Sequence, residues 1–479
     1  MMDLGRFGDE RRRKVGADFL AAMMAKRSCC VRELGGDRST ERRFGRLLHN
    51  EEVTAEEMVE TAAAHTARAV GGRHVLAIQD TTALNFTKHA KSKSGFGPIG
   101  NGADIGFYVH PVIVVEAAAG MRGVNHAGGI IGLADVSVYR REPAPAKPRR
   151  SRKRKRTTKA PPLRDRTRSI EDRESGRWLE GLAAACRTLA AADTVTMIAD
   201  RESDIFELFA APRPDNVHLL VRAQHDRKLS EGGRLFQQMA QRPHIVGPRI
   251  EIPAKAGRSA RSAATRIAFA RIEIEQPGRV YAAGPLPQSI PVYAVHVEEI
   301  DPPPGEKPTA WLLLTTHKVE SLLDALQIVE WYRARWTIEQ LFRTYKTQGF
   351  DIEDSQIETY EVMRKLAIAA FVAALRTLQL VHARNGDTGQ KLTDAIDAQD
   401  EPLVEALVRK LEGKTEKLKC RHAPGSLARL SWVVARLGGW NGYHSKSYKP
   451  AGPITTARGL IQFDAMRQGW RLRKDVGLP

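Results

Sequence analysis

The apolar positions change texture along the chain. Up to about residue 70, short apolar pairs (Phe19-Leu20, Met23-Met24, Leu47-Leu48) recur among many arginines, which predicts small polar helices. Val53-Thr54-Ala55-Glu56-Glu57 reads as a helix start, with Thr54 as N-cap and Glu57 three residues on. Then come continuous apolar runs that end in an acid. Val75 to Gln79 precedes Asp80, and Thr194 to Ala199 precedes Asp200; both predict buried strands. Phe107 to Ala117, interrupted by Pro111, and Ile130 to Tyr139 read as further strands. Trp178 to Leu189 is an amphipathic helix, and a short helix spans Asp204 to Phe209. Residues from about 216 to 315 are strand-rich, with alternation in the second half of Arg266 to Ile274, then Ile290 to Val297 and Trp311 to Thr315. One long helix is predicted from about Val319 to Tyr345. The stretch 360–479 reads as mainly helical, broken at Leu437-Gly438-Gly439-Trp440.

Charge changes this picture. The 479 residues include 75 Lys and Arg against 56 Asp and Glu, a net +19. Pro143 to Ser169 holds twelve of the cations and one acid, Asp165. That low-complexity arm cannot build a core, and without it the chain is still basic, so a basic tail on a neutral protein is an insufficient account. Charge of this sign points to a polyanionic partner, nucleic acid first and an acidic membrane surface second. The longest uninterrupted apolar run, Leu366 to Leu375, is ten residues, whereas a membrane span needs about 20. The opening MMDLGRFGDERRRK has no apolar stretch of a secretory signal. Cys29, Cys30, Cys186 and Cys420 show no C-x-x-C spacing, which argues against a zinc ribbon and for a reducing compartment. No H-E-x-x-H motif is present, and His110, His126 and His225 are scattered. Asn125 to Gly129 lacks the lysine of a phosphate-binding loop.

The candidate chemistry sits in three places: Asp80, Asp200, and the helix around Tyr332. Tyr332, Arg335, Glu339, Arg343 and Lys346 are spaced 3, 4, 4 and 3. On one helix they fall within an arc of about 80°. Taken alone, such a stripe is a solvated face with ion pairs, and a carboxylate at a strand end is a turn or cap residue. Three carboxylates that converge form instead a hard oxygen site for Mg²⁺ or Mn²⁺, and cations beside them suit a phosphate substrate.

The order strand-Asp80, strand-Asp200, helix-Glu339 resembles the DDE transposases built on the ribonuclease-H-like fold. The Y-(2)-R-(3)-E-(6)-K spacing is similar to the signature of their fourth insertion-sequence family. LAIQDTTALNF around Asp80, IADRESDIFEL around Asp200, ESGRWL from Glu174, WLLLTTHKVESLLDAL from Trp311 and WYRARWTIEQLFRTYKTQG from Trp331 carry the likeness, in family order over most of the chain.

The resemblance implies an α/β fold: a ribonuclease-H-like catalytic core with a β-rich insertion at about 216–310, flanked by helical N-terminal and C-terminal domains. The expected boundaries are 1–70 for transposon-end binding, 71–375 for catalysis and 376–479 for dimerisation. Asp80, Asp200 and Glu339 are implied as catalytic ligands of two divalent ions, Mg²⁺ with Mn²⁺ able to substitute. Tyr332, Arg335, Arg343 and Lys346 are implied as DNA contacts, as are Trp311 on a flipped base, Arg222 near a hairpin, and Arg11, Arg12 and Arg43 on the transposon end. The implied partners are double-stranded DNA and a second copy of the chain, with no membrane, in the bacterial cytoplasm at the nucleoid. The implied activity is cut-and-paste transposition. The alternatives are a regulatory DNA-binding relative that inhibits transposition and another ribonuclease-H-like nuclease. Three departures stand out: the basic arm at 143–169, Gln340 in place of a second acid after the glutamate, and a chain that ends soon after Trp470.

Overall fold

The computed structural model describes residues 3–117, 128–142, 170, 173–252, 259–278, 284–347, 350–386, 388–442 and 451–475. The basic arm at 143–169 and His126 lie outside the described residues.

Four helices open the chain: α1 (Glu10–Lys26), α2 (Val31–Gly35), α3 (Arg38–His49) and α4 (Ala55–Ala69). Asp9, Asp37 and Thr54 cap α1, α3 and α4, each side-chain oxygen accepting from a first-turn N–H. Five strands follow: β1 (His74–Gln79), β2 (Thr82–Asn85), β3 (Gly97–Ile99), β4 (Asp104–Glu116) and β5 (Ile130–Tyr139). Next come α5 (Gly176–Thr188), β6 (Thr194–Ala199), α6 (Phe206–Ala210), β7 (Val217–Arg222) and α7 (Leu235–Gln241). The strand-rich stretch supplies β8 (Ile245–Val246), β9 (Ile250–Ile252), β10 (Arg261–Ala263), β11 (Thr265–Glu275), β12 (Ser289–Glu299) and β13 (Ala310–Thr315). The remaining α-helices are α8 (Leu322–Arg333), α9 (Trp336–Lys346), α10 (Tyr360–Ala383), α11 (Glu401–Leu411), α12 (Leu427–Leu437) and α13 (Pro453–Asp475).

One mixed sheet organises the molecule. Its order is β2-β4-β1-β6-β7-β13-β12-β11-β8, with β3 and β5 also pairing to β4. β1, β6 and β7 run parallel; the other pairings are antiparallel. β11 to β13 therefore extend the same sheet that holds β1. Alternation along the strands splits the core by face. Leu76 and Ile78 of β1 pack with α10 residues, whereas Val75 and Ala77 pack with Trp178 and Leu182 of α5.

Several elements differ from the sequence pattern. β4 runs unbroken through Pro111, which sits where its partner changes from β2, ending at Val109, to β1, beginning at Val112. At that handover the missing N–H disrupts neither ladder. The apolar run at 366–375 lies inside α10, a 24-residue helix. That helix is long and apolar enough to cross a membrane, yet it is the buried centre of the helical layer and packs against α1, α4, α12 and α13. The expected helix from 319 to 345 is two helices. At the join the Ala334, Arg335, Thr337 and Ile338 amides bond carbonyls three residues back, a tightened turn. Side chains on either side are drawn to different anchors, Tyr332 to Trp311 and Arg335 to Asp80. The Gly438 break is a packing requirement. A Cβ there would meet the Thr455 carbonyl at 1.9 Å, and one on Gly459 would meet the Val434 carbonyl at 1.7 Å, so α12 and α13 cross backbone to backbone.

Candidate active site

Parallel pairing sets the first two carboxylates side by side. Ile78 of β1 is level with Ile198 of β6, so two residues further on Asp80 and Asp200 leave the sheet together. Adjacent strands are about 4.8 Å apart. Each aspartate turns back onto its own loop: Thr81 N–H donates to Asp80 Oδ1 at 2.7 Å, and Glu202 N–H donates to Asp200 Oδ1 at 3.1 Å.

Glu339 arrives from α9, with Arg335 standing between it and the strand ends. Arg335 donates to Asp80 Oδ2 at 3.0 Å and also to Glu339 Oε1. Burial pushes the Asp80 carboxyl up to about 6; Arg335 and the Thr81 amide oppose this, and the nearby Asp200 and Glu339 charges add to it. Burial also works against the Arg335 charge, but Tyr332, Glu339 and Asp80 beside it hold the guanidinium above its ordinary value. Three carboxylates thus share one electrostatic neighbourhood, and the Arg335 guanidinium bonds two of them, Asp80 and Glu339.

The other residues singled out from the sequence divide into groups. Tyr332 is buried, packs edge-on against Trp311 with ring centroids 5.8 Å apart, and feels both Arg222 and Asp200. Arg222 reaches the Ala310 carbonyl at 3.0 Å, next to Trp311. Tyr332, Trp311 and Arg222 therefore form one cluster beside the carboxylates. Lys346 lies elsewhere: it donates to the Ala83 carbonyl and sits 3.4 Å from Glu353. Arg343 is exposed. The five-residue stripe is thereby corrected, because the turn at Ala334–Arg335 ends the single helix on which it was drawn. Tyr332 and Arg335 point inward to Trp311 and Asp80, Lys346 reaches β2, and Arg343 faces solvent.

Arg11, Arg12 and Arg43 belong to the N-terminal helices. Arg12 bonds the Phe7 carbonyl at 2.8 Å, Arg43 lies 3.3 Å from Asp18, and Arg11 is exposed. On α3, Arg38, Arg42 and Arg46 are exposed at spacings of four, a basic stripe down one helix face.

Sequence reasoning missed the residues that hold the loops. Arg177, Thr81, His110, Gln79 and Glu202 form a hydrogen-bonded chain behind the aspartates. Asp204, fully buried, accepts from the Gln224 and His225 amides and from Arg227, and so ties the loop after Asp200 to the end of β7. An acid four residues after Asp200 was the only signal for it in the sequence.

The donor set suits a hard divalent cation. Among the described residues no three His, Cys, Asp or Glu side chains are gathered as a metal cage. Arg335 lies between Asp80 and Glu339, and its displacement leaves half-buried carboxylates in need of positive charge. The residues fit a divalent ion on these grounds.

Residues 139–376 match a family model described as a transposase DDE domain. The matched stretch contains Asp200 and Glu339, while Asp80 precedes it. A DDE domain carries out phosphoryl transfer on DNA with divalent metal and is built on a ribonuclease-H-like sheet. The protein is a DDE-type transposase, a polynucleotidyl transferase and endonuclease.

Proposed function

We propose that this transposase works by cut-and-paste, as a homodimer that binds two transposon ends, and that it is of the fourth insertion-sequence family type. In this reading residues 1–70 bind the end sequence, 71–375 cut and join, and 376–479 dimerise. The observation that supports it best is the level placement of Asp80 and Asp200 on adjacent parallel strands, with Glu339 joined to Asp80 through Arg335.

Asp80, Asp200 and Glu339 would hold two divalent ions, Mg²⁺ or Mn²⁺. When bound, these ions supply activation of a water or a 3′-hydroxyl and stabilise the leaving oxygen of an in-line displacement. The protein's own part is to place the DNA strand. Arg335, released from the carboxylates, grips a phosphate with its planar fork of donors. Tyr332 lies beside it, while exposed Arg343 and, from its place beside β2, Lys346 meet separate phosphates. Trp311 offers an indole face to a base turned out of the duplex, a contact worth ~1–3 kcal/mol. Arg222 beside it steadies the strand as a hairpin forms. Arg11, Arg12 and Arg43, with the α3 stripe, neutralise end-DNA phosphates. Transposition then proceeds by nicking, hairpin formation, hairpin opening and joining of 3′ ends to target, in the bacterial cytoplasm at the nucleoid.

The test is a labelled duplex ending in the element's terminal repeat, incubated in Mg²⁺ or in EDTA and resolved on denaturing gels. The expected products are a Mg²⁺-dependent nick, a hairpin and plasmid-joined DNA. Tight binding with no cleavage identifies a regulatory relative instead, and cleavage without joining identifies a nuclease.

A further inference from the structure

Arg177, at the start of α5, touches neither aspartate, yet it grips the loop of each. Its Nε–H donates to Thr81 Oγ1 at 2.9 Å, and Thr81 N–H in turn donates to Asp80 Oδ1. Its Nη2 donates to Glu202 Oε2 at 2.9 Å, and Glu202 N–H in turn donates to Asp200 Oδ1. One planar guanidinium therefore holds two loops in the same way, through the residue whose amide orients each carboxylate. The third nitrogen, Nη1, is tied to the Glu174 carbonyl, and the guanidinium lies over Trp178. The group is anchored to its own helix and to the turn that precedes it.

The Asp80 side of this arrangement runs deeper. Thr81 Oγ1 is 2.8 Å from His110 Nδ1, and His110 Nε2 is 3.3 Å from Gln79 Oε1. Burial pushes His110 down to about 3, so the ring is neutral and carries one proton. Gln79 Oε1 can only accept, which puts that proton on Nε2 and leaves Nδ1 to accept from the Thr81 hydroxyl. That hydroxyl is then free to accept only through its oxygen, which is where Arg177 Nε–H points. Every donor has one acceptor, from Arg177 through Thr81 and His110 to Gln79. Both neighbours of Asp80 in sequence are fixed by it. Gly181 of α5 supports the far end: a Cβ there would stand 2.4 Å from Gln79 Oε1.

We infer that Arg177 is a positioning residue, a strut that sets the separation and orientation of Asp80 and Asp200 for divalent metal. The inference rests on the proposed reading of those aspartates as metal ligands. Its action is indirect, like that of the outer partners that orient metal-binding side chains elsewhere.

The experiment uses the full chain and titrates Mn²⁺ by calorimetry, alongside Mg²⁺-dependent nicking of the terminal-repeat duplex and duplex binding in EDTA. Arg177→Ala should weaken Mn²⁺ binding by roughly tenfold to a hundredfold. It should move the Mg²⁺ midpoint of nicking by the same factor and leave duplex binding in EDTA unchanged. Thr81→Val should do the same, and the double variant should be no worse than either single one. Arg177→Lys keeps the charge and the fold but cannot bridge both loops, so it should fall with Arg177→Ala. Wild-type Mn²⁺ affinity in Arg177→Ala or Arg177→Lys overturns the strut. A loss of duplex binding with metal affinity intact also overturns it, making Arg177 a DNA contact. Wild-type Mn²⁺ affinity in both Asp80→Ala and Asp200→Ala overturns the reading of the site itself, and the strut with it.

Discussion

The same parallel strands end in two different electrostatic environments. Where β1, β6 and β7 finish, Asp80 stands level with Asp200 and shares the Arg335 guanidinium with Glu339. Where they begin, His74, His218 and His317 gather around Thr196 and Trp331. At that end one hydroxyl lies 2.8 Å from His74 Nε2 and 2.7 Å from His317 Nε2, so it donates to one ring and accepts from the other. Burial pushes His74 down to about 4 and His317 to about 3, leaving both neutral. Neutral rings pack on one another without counter-ions. Carboxylates at neutral pH cannot, because each needs a partner or a proton. The contrast is electrostatic: the histidine end holds neutral rings, and the carboxylate end depends on a cation.

The largest effect should come from removing a carboxylate from that dependent end. Asp80→Asn, Asp200→Asn and Glu339→Gln are each expected to lower nicking of the terminal-repeat duplex by roughly 10³-fold or more, the scale of losing metal stabilisation of the transition state. Duplex binding should be retained. A variant that cleaves like the wild type removes its residue from the site.

Next in size is Asp204, a buried carboxylate with a cation of its own. Arg227→Ala leaves that charge buried and uncompensated, so unfolding free energy in urea should fall by about 3–5 kcal/mol. Loss of less than about 1 kcal/mol would mean that the pair is not the anchor described.

Asp80 should behave in the opposite way. Its folded-state value, about 6, lies above the ordinary 3.8, so stability is greatest with the carboxyl protonated and is lost as pH rises through about 6. Asp80→Asn mimics the neutral form. In EDTA it should be more stable than wild type at pH 7.5, by roughly 1–3 kcal/mol, and the gain should vanish near pH 4. A gain that is the same at both pH values would show that the carboxylate charge is not its source.

The smallest effect belongs to the histidine end. His74 and His317 have depressed values, so the stability they affect is present above pH 6.5 and lost as pH falls towards 4, where the unfolded chain takes up protons first. His317→Gln should flatten the melting-temperature slope across that window while leaving nicking at neutral pH unchanged. An unchanged slope would place the acid sensitivity elsewhere.

Much of the frame was legible in the residues. Val75 to Gln79 and Thr194 to Ala199 read as buried strands because nothing polar interrupts them, and their closing acids marked strand ends without any contact being known. Thr54 declared its cap, and its Oγ1 accepts from Glu57 N–H at 3.2 Å. The unbroken helix over 319–345 did not survive, because periodicity reports which face is apolar and not where tertiary anchors pull a turn tight. Pro111 suggested a broken strand, since a proline signals a missing donor and cannot signal a point where strand partners change.

The sequence by itself determined the long strands, the helical ends, the basic charge and three acids in an order that resembles a DDE site, because those properties are local or additive along the chain. Only tertiary structure decided that Asp80 and Asp200 stand level, that Arg335 occupies the space before Glu339, and that Arg177 joins two loops whose contact residues, Thr81 and Glu202, are 121 positions apart. Register and hydrogen bonding across such separations depend on which surfaces pack together. Local propensity carries no term for that.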